Sequence, residues 1–175
     1  MTDHRDAEFT DFVADHGGQL LRTACLVTGD AHLGEDLLQT ALAKAYGSWA
    51  RVRQADHPVA YVRRLMINAH LSWVRRLTNT ERVLETFPDT GSGDPQTAHA
   101  ESDEMRQALL RLSPRVRTAV VLRYFDDLTE AETAQLMGCS RSTVNNHVSR
   151  GLAALRGLLA PGRDDDLTPA SRRHQ

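Results

Sequence analysis

From Leu128 to Arg156 the chain reads LTEAETAQLMGCSRSTVNNHVSRGLAALR, and this stretch restricts the possible folds more than any other. Two short amphipathic helices joined by a tight turn need particular residue types at particular places. A small residue must sit where the helices cross, and Ala134 supplies it. A residue at ease with positive φ must make the turn, and Gly138 lies four positions later. An apolar residue must lock the second helix to the first, and Val144 comes six after that. Thr129 and Glu132 have capping-box spacing, and Ser140 stands where it caps the second helix. Val148, Leu152 and Leu155 extend the apolar stripe. The reading is a helix-turn-helix. Ser142, Asn146 and Ser149 then take the opposite face, flanked by Arg141, Asn145 and Arg150. Short polar side chains beside arginines suit a helix lying in the DNA major groove. A helical hairpin with a solvated polar face shares the periodicity, but it has no need of the caps and the turn.

The rest of the chain is also helical in pattern, with no convincing strand. Phe9, Val13, Leu20, Ala24 and Val27 recur at helical spacing until Thr28-Gly29-Asp30 interrupts them. A second helix is expected over 31–46, with Leu33, Leu37, Ala41 and Ala45 on its apolar face. Residues 47–57 read as a loop. Asp56 and Pro58 mark a third start, whose stripe is Val62, Met66, Ala69, Trp73 and Leu77. Pro88, Gly91, Gly93 and Pro95 break any period across 86–100. A helix over 101–112 follows, then Ser113-Pro114 as an N-cap and first-turn proline. The expected fold class is all-α: two small helical domains over 1–80 and 103–160, a flexible acidic linker over 81–102 and a polar tail over 161–175.

Charge supports two contacts with a polyanion, although the net formal charge of −2 hides them. Residues 51–82 carry seven arginines against Asp56 and Glu81. Residues 106–157 carry eight arginines against four acids, and the strip between, 83–105, has six acids and no base. With no 18-residue apolar run and a polar start, neither a membrane span nor a signal peptide is expected, and the chain reads as cytoplasmic. Cys25 and Cys139 stand far apart without a CxxC, so buried reduced thiols are expected, with no metal and no cofactor. The eight histidines are scattered, and no Gly-rich phosphate loop or catalytic triad appears, which argues against an enzyme.

Three stretches, in order, resemble the extracytoplasmic-function sigma factors, promoter-recognition subunits of RNA polymerase. GEDLLQTALAKAYGSW, from Gly34 to Trp49, is similar to their polymerase-binding helix. HPVAYVRRLMINAHLSWVRR, from His57 to Arg76, resembles their promoter-melting and −10-reading helix. LRYFDDLTEAETAQLMGCSRSTVNNHVSRGLAALR, from Leu122, resembles their −35-reading domain. The match covers about 7–160 and is nearest an actinobacterial sigma-E-like subgroup.

The resemblance makes 1–80 sigma region 2 and 103–160 sigma region 4. It implies that Asp36, Leu38, Gln39 and Thr40 dock on the polymerase β′ coiled coil, with the β flap as a second polymerase contact. It implies that Arg51, Arg53, His57, Tyr61, Arg64, Asn68, Ser72, Arg75 and Arg76 grip the displaced promoter strand and hold a −10 base flipped out. Arg141, Ser142, Thr143, Asn145, Asn146, Ser149 and Arg150 would read the −35 duplex. An anti-sigma factor is a further candidate partner, since many relatives are regulated that way. The acidic linker would thread toward the RNA exit path, or simply tether the halves. One departure is that Ser142-Thr143-Val144-Asn145-Asn146 stands where relatives often have Gly-Thr-Val-Lys-Ser. A phosphate-binding cation is lost there and an amide gained, so −35 preference does not carry over. The competing reading is a stand-alone helix-turn-helix regulator that binds operator DNA without polymerase.

Overall fold

The computed structural model describes residues 2–80 and 100–160, and every regular element among them is a helix. The first half holds α1 (Thr2–Thr28), α2 (Ala31–Gly47), α3 (Trp49–Arg53) and α4 (Pro58–Thr80). The second holds α5 (Ala100–Leu110), α6 (Pro114–Tyr124), α7 (Glu130–Met137) and α8 (Arg141–Leu159). Most of the linker and the polar tail, 81–99 and 161–175, lie outside the described residues.

Gly29, at φ 77°, turns α1 into α2, and the Asp30 carboxylate accepts the Leu33 N–H at 2.9 Å as an N-cap. α2 then lies so close to α1 that a Cβ on Gly34 would fall 2.8 Å from the Cys25 backbone. Phe9, Phe12, Tyr46 and Trp49 meet edge-on and tilted near 5 Å, pinning the start of α1 against the end of α2 and α3. Leu20, Ala24, Leu38, Ala41, Val52, Val62 and Met66 complete that core. Two expectations change here. α3 occupies part of what read as a loop, held by Trp49 and Val52 in the core. On α2 the buried row is Gly34, Leu38, Ala41 and Ala45, while Leu33 is exposed.

In the second half the helix-turn-helix has the expected local chemistry. Thr129 and Glu132 form a reciprocal capping box, Gly138 sits at φ 62°, and the Ser140 hydroxyl accepts the Thr143 N–H at 3.1 Å. Val144 is fully buried. Gly151 allows α8 to press on α6, where a Cβ would fall 2.5 Å from a Val120 methyl. Ser113 and Pro114 begin α6 as expected, but the serine hydroxyl makes no capping bond. Asp127, the one non-glycine residue with positive φ among the described residues, turns α6 toward α7.

The two halves are not separate beads. Val27, Ile67 and Leu71 of the first half share a buried cluster with Ala119, Val121, Leu122 and Met137 of the second. A polar seam borders it. Thr23 Oγ1 donates to Asp126 Oδ1 at 2.7 Å, and Arg63 Nε lies 3.2 Å from Asp126 Oδ2 without an aligned N–H. Arg117 Nε donates at 3.1 Å to the Val27 carbonyl near the end of α1, and burial holds its pKa below the ordinary guanidinium value. Burial pushes the Asp126 carboxyl up, against the pull of Thr23 and Arg63. Leu110 leans directly on the Gly29 turn, where a Cβ would fall 2.2 Å from its methyl.

Candidate polymerase and nucleic-acid interfaces

Four helices, α2, α3, α4 and α8, carry the candidate residues, with His57 just before α4, and each helix is anchored by one face and open on another. On α2, Asp36, Gln39 and Thr40 are exposed, and the Thr40 hydroxyl donates back to the Asp36 carbonyl at 2.9 Å. Leu38 does not join them. It is 8% exposed and packs inside the first core, because it lies on the buried row with Gly34 and Ala41. The apolar contribution to this face comes instead from Leu33, 39% exposed and one turn before Asp36 and Leu37.

The −10 candidates divide between α3 and α4. Arg51 and Arg53 are exposed on α3, and Arg53 Nη1 contacts both Glu8 carboxylate oxygens at 3.1 Å. His57, Arg64, Asn68, Arg75 and Arg76 are exposed, while Tyr61 and Ser72 are half-buried. Trp73, placed on the apolar stripe by its spacing, turns outward at 37% exposure with its ring 6.3 Å from that of His70. A cleft of about 310 Å³ runs beside the start of α4. His57, Tyr61 and Arg64 line one wall, and Leu128, Glu132 and Gln135 of the second half line the other.

On α8, Arg141, Ser142, Asn145, Asn146, Ser149 and Arg150 are exposed together, and Thr143 is half-buried with its hydroxyl 2.8 Å from that of Ser140. Arg141 Nη2 lies 3.6 Å from Glu130 Oε2, so a phosphate would compete for it with a carboxylate already in place. The amides of Asn145 and Asn146 present donors and acceptors suited to base edges.

Four residues escaped the sequence reading: Arg63, His70, Arg117 and Asp126, all at the seam. His70 is 1% exposed with neither ring nitrogen partnered, and burial, helped by Arg117, lowers its pKa to about 4. Cys25 and Cys139 are free thiols, half-buried rather than fully buried. Among the described residues no His, Cys, Asp and Glu cluster could hold a metal ion, and no helix is long and apolar enough to cross a membrane.

An exposed amide-and-carboxylate face on α2, an arginine-lined helix and a helix-turn-helix stand together in one chain, the combination expected of a promoter-recognition subunit of two regions, and comparison with known proteins agrees. Residues 12–80 match the model of Sigma-70 region 2, and residues 102–155 match Sigma-70, region 4. The RNA polymerase sigma-E factor of Streptomyces coelicolor is 36% identical over 94% of this chain and 93% of its own length. The sigma-E factor of Streptomyces antibioticus is 37% identical over 87% of this chain and 84% of its own. The sigma factor RpoE of Bartonella quintana, solved in complex with the anti-sigma factor NepR, has the same fold. Its TM-score is 0.73 at 22% identity, over 89% of this chain and 99% of that one. The chain belongs to the extracytoplasmic-function sigma factors of RNA polymerase, in their sigma-E-like branch.

Proposed function

We propose that the chain works in the cytoplasm as a non-catalytic subunit that docks on core RNA polymerase through the exposed face of α2. That face consists of Asp36, Gln39 and Thr40 with Leu33 beside them. The exposed arginine and amide side of α4, with α3 before it, takes the displaced strand at the −10 element. The first turns of α8 read the −35 duplex. The observation that carries this division is the pairing of two exposed cationic-polar helix faces, one on each half, with a separate face that holds no arginine. Arginines supply sequence-neutral phosphate contacts, while the neighbouring amides and hydroxyls supply discrimination. An anti-sigma factor is a proposed further partner, by analogy with the fold relative solved in such a complex.

Transcription from a promoter library, with and without added core polymerase, tests the proposal. Promoter binding should be weak for the chain alone and tight with core. Nanomolar binding of duplex sites by the free chain would favour a stand-alone regulator instead.

A further inference from the structure

α3 carries two arginines, Arg51 and Arg53, and their surroundings differ. Arg51 is exposed, and its side chain pairs with no carboxylate among the described residues. Arg53 is exposed too, yet its Nη1 lies 3.1 Å from both carboxylate oxygens of Glu8, which reaches it from the second turn of α1. That ion pair does not stand alone. The buried Trp49 donates its indole N–H to Glu8 Oε2 at 3.4 Å, and His4 Nε2 lies 3.0 Å from Glu8 Oε1. Against the desolvation that would raise it, the Trp49 bond and the charges of Arg53 and His4 hold the Glu8 carboxyl below the ordinary glutamate range.

A lone surface ion pair opens easily, since water and salt replace each partner. Here the carboxylate keeps its place when Arg53 leaves, because Trp49 is locked by ring contacts with Phe9 and Phe12 at 5.2 and 5.3 Å. A phosphate reaching for Arg53 therefore meets a fixed negative charge beside its target. We propose that Glu8 withholds Arg53 from the displaced strand, leaving Arg51 as the phosphate contact of α3, and so limits the sequence-neutral part of −10 binding. The proposal rests on the reading of α3 and α4 as the strand-binding elements. Arg53 then serves as a strut: with Glu8 it ties the start of α1 to the last residue of α3, just before the chain passes through 54–57 into α4. Phosphate contacts add grip without discrimination, so cancelling one leaves the base-reading amides and hydroxyls a larger share of the binding.

The salt dependence of binding tests this, because each phosphate contact to a single strand contributes about 0.7 to the slope of log K against log salt. The measurement uses the full chain assembled with core polymerase, on a pre-melted bubble of a promoter recovered from the transcription library. Glu8→Gln keeps an oxygen for Trp49 and removes the charge that holds Arg53. It should steepen the slope by about 0.7, a further loss of about 2.6-fold in affinity between about 50 and 200 mM salt. Arg53→Gln should take back that increment in the Glu8→Gln background and change the slope much less in the wild-type background. Arg51→Gln should make the slope shallower by about 0.7. Unchanged helicity and retained capture by core polymerase check that each variant is folded.

An equal effect of Arg53→Gln in both backgrounds overturns the proposal, since Arg53 would then contact the strand whether or not Glu8 is charged. A slope unmoved by Glu8→Gln or by Arg51→Gln overturns it as well. Arg64→Gln on α4 keeps the two readings apart. If it makes the slope shallower while the Glu8 and Arg53 effects simply add, α4 binds the strand and only the withholding is wrong. If neither Arg64→Gln nor any α3 variant moves the slope, the strand-binding reading of this face fails together with the proposal.

Discussion

His70→Leu separates the role of the seam from that of ordinary surface charge. In the folded chain this imidazole is 1% exposed, unpartnered and close to Arg117, with its pKa lowered from 6.5 to about 4. In the unfolded chain it titrates near 6.5. Because the folded pKa is the lower one, the unfolded state binds the extra proton first as pH falls. Stability is therefore intact above pH 6.5, lost as pH drops toward 4, and constant below that. At 1.36 kcal/mol per pKa unit, the loss from this one group is about 2 kcal/mol at pH 5 and about 3 kcal/mol at its limit. Leucine has similar bulk and no proton to bind, so the variant should not show that loss. Urea unfolding at pH 8 and pH 5, for wild type and variant, gives a double difference in which the other titrating groups cancel. That cancellation matters because Asp126, with its raised pKa, works in the opposite sense and loses stability as pH rises. The expected double difference is about 2 kcal/mol, with the wild type more acid-sensitive. Equal pH dependence in the two proteins would mean that His70 is not held neutral inside the seam.

Other outcomes follow from single contacts. Asp36→Arg with Gln39→Ala should abolish capture by core polymerase in a pull-down, yet move the melting midpoint little, since exposed substitutions usually change stability within about 0.5 kcal/mol. Gly34→Ala should destabilise by about 1–3 kcal/mol in a thermal melt, because the new methyl meets α1 backbone that has no rotamer to yield. Gly157→Ala, with nothing within 4 Å of its Cβ position, should stabilise by about 0.5–1 kcal/mol. Changes at Arg64 or Asn68 should impair strand opening and be rescued by a pre-melted promoter bubble. Changes at Asn145 or Asn146 should weaken duplex binding by about 1–3 kcal/mol and stay defective on the bubble.

The helix-turn-helix was legible because its constraints are local. A capping box, a positive-φ glycine and a locking valine are each decided by neighbours within one turn. The α2 stripe was harder. Steps of four, as in Leu33, Leu37, Ala41 and Ala45, drift by about 40° each around a helix that repeats every 3.6 residues. The buried row uses steps of four, three and four through Gly34, Leu38, Ala41 and Ala45. Its first member is a glycine that no search for apolar residues counts. Spacing by four therefore places Leu33 in the core and leaves Leu38 for the exposed face, the reverse of their burial in the helix.

The seam left no signature of that kind, and the reason lies in what α4 has to do. A helix with one apolar stripe announces a single partner. α4 buries Val62 and Met66 in its own half while setting Arg63, Ile67, His70 and Leu71 against the second half or its border. The arc turned to the second half is mixed in polarity, so arginine and histidine on it read as solvent-facing. The mixture of charge and apolar bulk on that arc leaves buried polar atoms without partners. Partner choice across sequence separations as long as 103 residues is written in those mismatches, visible only once the two halves are seen in contact.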